Sequence, residues 1–180
     1  TECNIEVVLS STSTYKNYEK GVHSVMSDNI CFPAKLVHSH IYELQNMGVD
    51  RIFFPRVVYE KEEDGSVANS FNCPIIIGYP DVINSAVDSE IPIDSPVVSF
   101  KDDELLKKQL FKYMETLGVS KSVVKKAHDK ALKEYYDFGM NLRKINEEAF
   151  EQSQKEGRMA IVLAGRPYHL DPEINHGIPE

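Results

Sequence analysis

The chain of 180 residues is 42% hydrophobic, which is enough to build the core of one large domain, or of one domain and part of another, and excludes bulk disorder. Its 20 Lys and Arg residues against 28 Asp and Glu residues give a net charge of −8, which argues against nucleic acid or an anionic membrane surface as a partner. No apolar run approaches the roughly 20 residues that span a bilayer, and 3 cysteines without a CxxC motif fit a reducing compartment, so we expect a cytoplasmic protein.

The first predicted elements are a short strand and two helices. Residues 5–9 form a β-branched run typical of a strand, and the Ser/Thr cluster after it can cap a helix over about residues 15–22. Pro33 favours the first turn of a second helix, where its missing N–H is not needed. The apolar residues of this second helix keep helical spacing up to Gly48, where we expect the helix to end.

Two apolar runs in the middle of the chain predict paired strands. Residues 50–58 resemble a strand buried on both faces of a parallel sheet, and residues 91–100 are a second strand candidate. Between them, the polar, Gly-containing stretch over residues 60–72 predicts a surface loop. A parallel pairing of the two strands requires a crossover, so we predict that residues 73–87 are irregular and then helical.

From residue 101 the pattern is helical. One amphipathic helix is predicted to end at Gly118, and Ser120 can cap a longer helix that runs to about residue 156. Residues 159–164 then predict another buried strand. The predicted inward face of the longer helix consists of Val123, Val124, Ala127, Ala131, Leu132, Tyr135, Phe138, Leu142, Ile145 and Phe150.

Together these elements predict an α/β protein. Residues 1–100 form a Rossmann-like parallel sheet unit that carries the cysteines, residues 101–157 a helical pair, and residues 158–180 the start of a second, truncated α/β unit. A strand so late in the chain needs neighbours, and none follow. We therefore expect the chain to be a middle fragment of a larger protein.

Two cysteines stand where chemistry is favoured. Cys31 and Cys73 each lie just before a predicted helix start and are followed within two residues by a proline that fixes the turn. A thiol at a helix N-terminus faces unpaired N–H groups and the positive end of the helix dipole, which favour the thiolate. Both would converge at the carboxyl edge of a parallel sheet, where open α/β sheets bind ligands. The alternative is that both are small buried hydrophobic residues.

Other polar residues near these motifs give weaker signals. The spacing of His38 and His40 is too short for a metal pair on one helix face, so the pattern favours a buried histidine, His40, beside a surface one. Lys35 follows Cys31 by one turn and could offset the charge of a thiolate, or could simply be solvated. Arg166, in the loop after the last predicted strand, would suit an anionic group. The sequence contains no GxGxxG motif, P-loop or Ser–His–Asp elbow, so it does not support nucleotide binding or triad catalysis by this piece.

Four strings make the sequence resemble a known family. They are SDNICFPAKLVHSH at residues 27–40, GVDRIFFP at 48–55, NCPIIIGYP at 72–80 and AGRPYHLDPEINHGI at 164–178. In this order they are similar to segments of the activase-related proteins of 2-hydroxyacyl-CoA dehydratases. The resemblance runs along nearly the whole chain but covers only a middle part of the family's large proteins. Their upstream ATP-binding activase portion has no counterpart here.

The resemblance implies a cluster-binding fold. Relatives have Rossmann-like domains whose cysteines surround a [4Fe–4S] or double-cubane iron–sulfur cluster, used for ATP-driven electron transfer at low potential. Cys31 and Cys73 match cysteines expected to be cluster ligands, while Lys35, His38 and Arg166 match motif positions that could surround the cluster. Cys3 lies in no motif, so a further ligand is expected beyond residue 180 and the cluster is expected to be absent from this piece. The implied partners are an ATP-binding activase domain or subunit and a second, dehydratase-like or identical subunit.

Three functional hypotheses follow. The first is a cluster-carrying electron-transfer module, which predicts that the sulfurs of Cys31 and Cys73 share one sheet edge. The second is a zinc or thiol site in which the same pair binds a tetrahedral ion with His38 or His40. The third is a docking or scaffold module with inert, buried thiols. Catalysis by this piece alone is not expected, because no feature marks an acyl-CoA pocket.

Overall fold

The computed structural model describes residues 2–62 and 69–178, so the centre of the predicted 60–72 loop lies outside the described residues. The helices are α1 (Tyr15–Gly21), α2 (Phe32–Asn46), α3 (Pro74–Ala86), α4 (Asp103–Thr116), α5 (Lys121–Lys155) and α6 (Pro172–Asn175). The strands are β1 (Ile52–Phe53), β2 (Arg56–Tyr59), β3 (Ile93–Asp94) and β4 (Val97–Ser99). Short 3-10 turns follow α1, at Val22–Ser24, and precede α6, at Pro167–Leu170.

Local capping explains where the predicted helices begin and end. The hydroxyl of Thr14 accepts from the backbone N–H of Asn17 at 3.1 Å and starts α1. The Asp102 carboxylate caps α4 in the same way. Gly48 and Gly118 follow α2 and α4 with φ values of +70° and +75°, a left-handed conformation that glycine adopts without strain. The helices predicted around these signals are therefore confirmed.

The strands form the predicted parallel pair with a helical crossover. β1 pairs with β3 in the register Ile52↔Ile93, and β2 pairs with β4 in the register Val57↔Val98. Each of the two predicted strands is divided at a proline, which has no N–H to donate to the neighbouring strand. Pro55 lies between β1 and β2, and Pro96 lies between β3 and β4. α3 connects β2 to β3, which confirms the helix expected within residues 73–87. The irregular stretch expected before it is wrong, because Cys73 is the N-cap and the helix begins at Pro74.

One face of the strand pair carries the core. Ile52 from β1, Ala34 and Ile41 from α2, and Ile83 from α3 are all at least nine-tenths buried and pack in one cluster. α4 and α5 cover the opposite face, where the Phe53 ring lies 5.2 Å from the ring of Tyr113. The result is a mixed helix and strand fold, compatible with a loose α/β class, with two short parallel pairs of strands between helical layers.

Two predicted strands are wrong. Neither residues 5–9 nor residues 159–164 form a strand in the described chain. Leu9 is 80% exposed and Ile161 is 86% exposed, so these apolar runs are not buried. A strand is stable only where a second strand completes its hydrogen bonds, and neither segment is paired with one of the four described strands.

The predicted inward face of α5 is only partly correct. Val124 and His128 are buried near the start of the helix, whereas Phe138 and Ile145 further along are 67% and 60% exposed. α4 covers the first part of α5 and is much the shorter of the two helices, so the second part lies beyond its packing partner. Among residues 2–62 and 69–178, no helix has both the length and the apolar character needed to cross a bilayer.

Candidate functional site

Cys31 is the N-cap of α2. Its backbone is extended, with φ −62° and ψ 145°, and its carbonyl accepts from the N–H of Ala34 at 3.0 Å to begin the helix. The thiol caps no backbone N–H and is exposed, and Pro33 sits in the first helical turn, as predicted. The thiol therefore lies at the positive end of the helix dipole with its sulfur free to bind an external group.

Cys73 repeats this arrangement at α3. It is the N-cap residue, Pro74 is the first residue of the helix, and the Cys73 sulfur accepts weakly from the N–H of Ile76 at 3.5 Å. This thiol is exposed as well. The reading of both cysteines as small buried hydrophobic residues is therefore wrong.

The two helix N-termini lie at the same end of the fold. α3 follows β2, so it starts at the carboxyl edge of the parallel strands, and α2 packs beside it. The Nε2 atom of His38 and the hydroxyl of Tyr79 are 2.9 Å apart, and these two residues are each about two turns along their helices from Cys31 and Cys73. α2 leads into β1 and α3 leads into β3, and these two strands are parallel, so the two helices run in the same direction. The matching depths therefore put both helix starts, with their cysteines, on the carboxyl side of the strands.

A buried hydrogen-bond chain links the two helices behind the cysteines. Burial raises the pKa of the Tyr79 hydroxyl, and negative charge on the neighbouring Cys31 raises it further, so Tyr79 stays protonated and donates to Nε2 of His38. Burial also lowers the pKa of His38, which is fully buried and stays neutral. Its Nδ1–H then donates to the Ser24 hydroxyl at 2.7 Å, which donates to the carbonyl of Gly21.

The structure reverses the predicted roles of the two histidines. His38 is the buried one, with side-chain partners on both ring nitrogens, whereas His40 is half-buried and bonds the Ser13 hydroxyl at 3.1 Å. The cause is α1, whose last residue, Gly21, lies directly against α2. A Cβ on Gly21 would come within 2.5 Å of the backbone nitrogen of Ser39, so α1 covers the His38 side of the helix.

Arg166 reaches the turn that carries Cys73. Its guanidinium donates to the side-chain carbonyl of Asn72 at 3.1 Å, and Asn72 is 1% exposed. The Asn72 amide in turn donates to the Glu60 carboxylate at 2.9 Å and to the carbonyl of Val57. The last sequence motif and the Cys73 motif are thus brought together although they are far apart in the chain.

Lys35 is hydrogen-bonded to the segment before Cys31. Its ammonium donates to the backbone carbonyl of Asp28 at 2.8 Å. This contact fixes the end of the loop that leads into α2.

Sequence reasoning missed Tyr79 and Asn72 as parts of this site. Both belong to the string around Cys73. Counting about two helical turns from Cys73, as His38 lies about two turns from Cys31, would have indicated Tyr79. Within the described ranges 2–62 and 69–178, no three His, Cys, Asp or Glu side chains are grouped as metal ligands. The two cysteines are therefore not grouped with His38 or His40 as a tetrahedral zinc site, and both ring nitrogens of His38 are already bonded.

The sequence as a whole identifies the family. Residues 1–180 match the family described as CoA enzyme activase uncharacterised domain (DUF2229). The chain belongs to this family. The resemblance inferred from the four motifs is thereby confirmed for this CoA enzyme activase domain. No curated protein and no solved structure matches the chain.

Proposed function

We propose that this CoA enzyme activase domain contributes Cys31 and Cys73 as thiolate ligands to an iron–sulfur cluster in an ATP-dependent, low-potential electron-transfer system related to 2-hydroxyacyl-CoA dehydratases. The observation that carries the proposal is the pair of exposed thiols at two adjacent helix N-termini on one edge of the strand pair. Thiolates are the usual protein ligands of such clusters, and when bound the cluster supplies one-electron transfer.

The donor chemistry fits such a cluster, but two thiols are fewer than the four cysteines that usually hold one. The remaining ligands would come from groups outside the described residues, such as a partner subunit, and a cluster held by two cysteines alone would be labile. The domain is then one part of a shared site. Family membership suggests a dehydratase-like component as partner, with ATP bound by a separate activase domain or subunit in the cytoplasm.

The surrounding residues would prepare the two thiolates. Each helix N-terminus stabilises negative charge on its cysteine sulfur. Arg166, held by Asn72, adds a positive charge beside the Cys73 turn and would offset the anionic character of a bound cluster. The Tyr79–His38 bond joins α2 to α3 and would keep the spacing of the two sulfurs fixed.

Anaerobic reconstitution with iron and sulfide tests this function, because the chain contains a matched control. Cys31→Ser and Cys73→Ser each remove one proposed ligand, whereas Cys3→Ser removes a free cysteine that caps neither helix. The chain purified alone is expected to lack the labile cluster, but with iron and sulfide supplied anaerobically we expect loading of the wild type and of Cys3→Ser, with visible absorption and an EPR signal after reduction. Both signals are expected to fall to background in either of the other variants.

The comparison also defines failure. Equal iron and sulfide loading of all four proteins would show non-specific binding and refute the ligand assignment. If the wild type binds no cluster even when mixed with a dehydratase-like partner, the domain functions as a docking module instead. In that case rapid alkylation of both exposed thiols would still be observed, since accessibility depends on the fold alone.

A further inference from the structure

The second half of α5 carries an apolar surface that the described part of the chain leaves uncovered. Phe138, Leu142 and Ile145 are 67%, 44% and 60% exposed, and they share one face of the helix because they follow one another in steps of four and three residues. Ala149 continues the series and is exposed as well. We call these four residues the α5 seam. Residues 158–165, which follow the helix, are themselves exposed and so do not cover it.

The seam extends a face that is buried earlier in the same helix. Val124 and His128 stand in the same series of four- and three-residue steps, and both are buried near the start of α5. α4 packs against that part of the helix and begins at the level of Tyr136, whose hydroxyl donates to the Asp103 carboxylate at 3.1 Å. From this level α4 runs back toward the loop that joins it to α5. The apolar face therefore continues past the point where its cover ends.

The seam is complementary to a reversed copy of itself. Two α5 helices can pair antiparallel about the midpoint between residues 143 and 144. Phe138 of one copy then lies opposite Ala149 of the other, and Leu142 lies opposite Ile145. Each layer combines side chains that fill the space between the helices, either a ring with a methyl group or two branched chains. In a parallel pair each residue would meet itself, so two rings would crowd one layer and two methyl groups would leave another empty.

The charges beside the seam fit the same antiparallel register. The flanking positions that face each other across such a pair bring Glu134 next to Lys155 of the other copy, at both ends of the interface. The Lys155 ammonium is exposed and lies 3.6 Å from the Glu151 carboxylate of its own helix. The last turn of the other copy's α5 also meets the first turn of α4, which carries Asp103 and Glu104. A basic helix end and an acidic helix start attract each other.

We propose that two copies of this chain associate by antiparallel pairing of their α5 seams. The second copy's helix runs in the direction of α4 and continues its layer over the second half of α5, ending where α4 begins. The strand pairs of the two copies then lie at opposite ends of the interface, so they do not collide. The seam contains no residue from the turns of Cys31 or Cys73, and this association is independent of the electron-transfer function proposed above.

Sedimentation velocity of the full chain over a concentration series tests the association. The seam spans only about three helical turns, which is a small interface, so we expect a monomer–dimer equilibrium with a Kd of about 10 μM. Ile145→Ala removes a seam side chain from both copies and should raise this Kd at least about tenfold. Met140→Ala is the matched control. Met140 is 63% exposed but lies on the opposite face of α5, so its Kd should stay within about twofold of the wild type.

Charge reversal tests the antiparallel register. Glu134→Lys or Lys155→Glu alone places like charges opposite each other at both ends of the interface, and each should raise the Kd by about fivefold. The double variant with both reversals restores opposite charges in the other order. Its Kd should return to within about twofold of the wild type, and high salt should reduce the differences among these proteins.

Several results would overturn the proposal. A wild-type chain that stays monomeric at concentrations well above the expected Kd does not pair through this seam. Equal effects of Ile145→Ala and Met140→Ala would place a dimer interface elsewhere, and a double reversal weaker than either single reversal would contradict the antiparallel register. Circular dichroism checks that each variant keeps its helix. If Ile145→Ala loses helix, the charge reversals, which leave the seam intact, still decide the question.

Discussion

The buried bond between Tyr79 and His38 gives the sharpest test of how this fold is held together. Tyr79 is 4% exposed and His38 is fully buried, and their 2.9 Å bond joins α3 to α2. Tyr79→Phe removes only the hydroxyl and leaves Nε2 of His38 without a donor. An unsatisfied buried acceptor costs about 1–3 kcal/mol in the free energy of unfolding. For a chain of this size, a loss of about 2 kcal/mol lowers the melting temperature by roughly 4–8 °C.

A second Tyr–His pair provides the matched control. The hydroxyl of Tyr42 and Nε2 of His23 are 2.7 Å apart, but this bond is exposed, so water can replace the lost partner. Tyr42→Phe should therefore change the unfolding free energy by less than about 0.5 kcal/mol. Urea denaturation followed by circular dichroism gives both values, provided the slope with urea is unchanged. If the two variants lose the same stability, burial does not set the strength of the Tyr79–His38 bond and the reasoning fails.

The remaining predictions concern the packing of α1 and the charge state of His38. Gly21→Ala should destabilise the fold by about 1–3 kcal/mol, because the new Cβ would lie 2.5 Å from the backbone of α2. Gly139→Ala is the control: it lies at an open position in α5 and should be neutral or stabilising by up to about 1 kcal/mol. Thermal denaturation of both variants checks this, and an unharmed Gly21→Ala would contradict the close approach. Burial lowers the pKa of His38 below its unfolded value of 6.5, so near and below pH 6.5 the imidazole is protonated in the unfolded chain but not in the folded one. The free energy of unfolding should therefore fall as the pH drops below 6.5. Unfolding free energies measured across this range should fall less steeply for His38→Gln than for the wild type, and parallel curves would assign the pH dependence elsewhere.

Local signals in the sequence predicted the cysteine turns correctly. A cysteine followed by a proline at a helix start depends only on a few neighbouring residues, so the sequence alone predicts Cys31 and Cys73 just before a helix, and the structure has both as N-caps. The parallel strand pair was also predictable, because two apolar runs separated by a helix-length segment leave few alternatives.

Features that depend on distant partners could not be predicted from local patterns. The buried face of α2 is turned toward His38 because α1 lies against it, and helical spacing alone favours His40. The contact between Arg166 and Asn72 joins residues 94 positions apart, and no periodicity indicates it. The segments 5–9 and 159–164 have strand-like composition, but composition does not supply a pairing strand.

The length of α5 has a geometric consequence for the cysteine site. Tyr136 is tied to Asp103 at the start of α4, and from there to Lys155 the helix advances about 29 Å at 1.5 Å per residue. The irregular chain over residues 158–165 can cover about 28 Å at full extension, so the outward and return paths nearly match. The return segment is therefore just long enough, when extended, to bring Arg166 back to the level of Asn72, which its guanidinium contacts. If α5 were longer or shorter by some number of residues, the segment 158–165 would have to change in the same sense by about half that number to keep the Arg166 guanidinium beside Asn72.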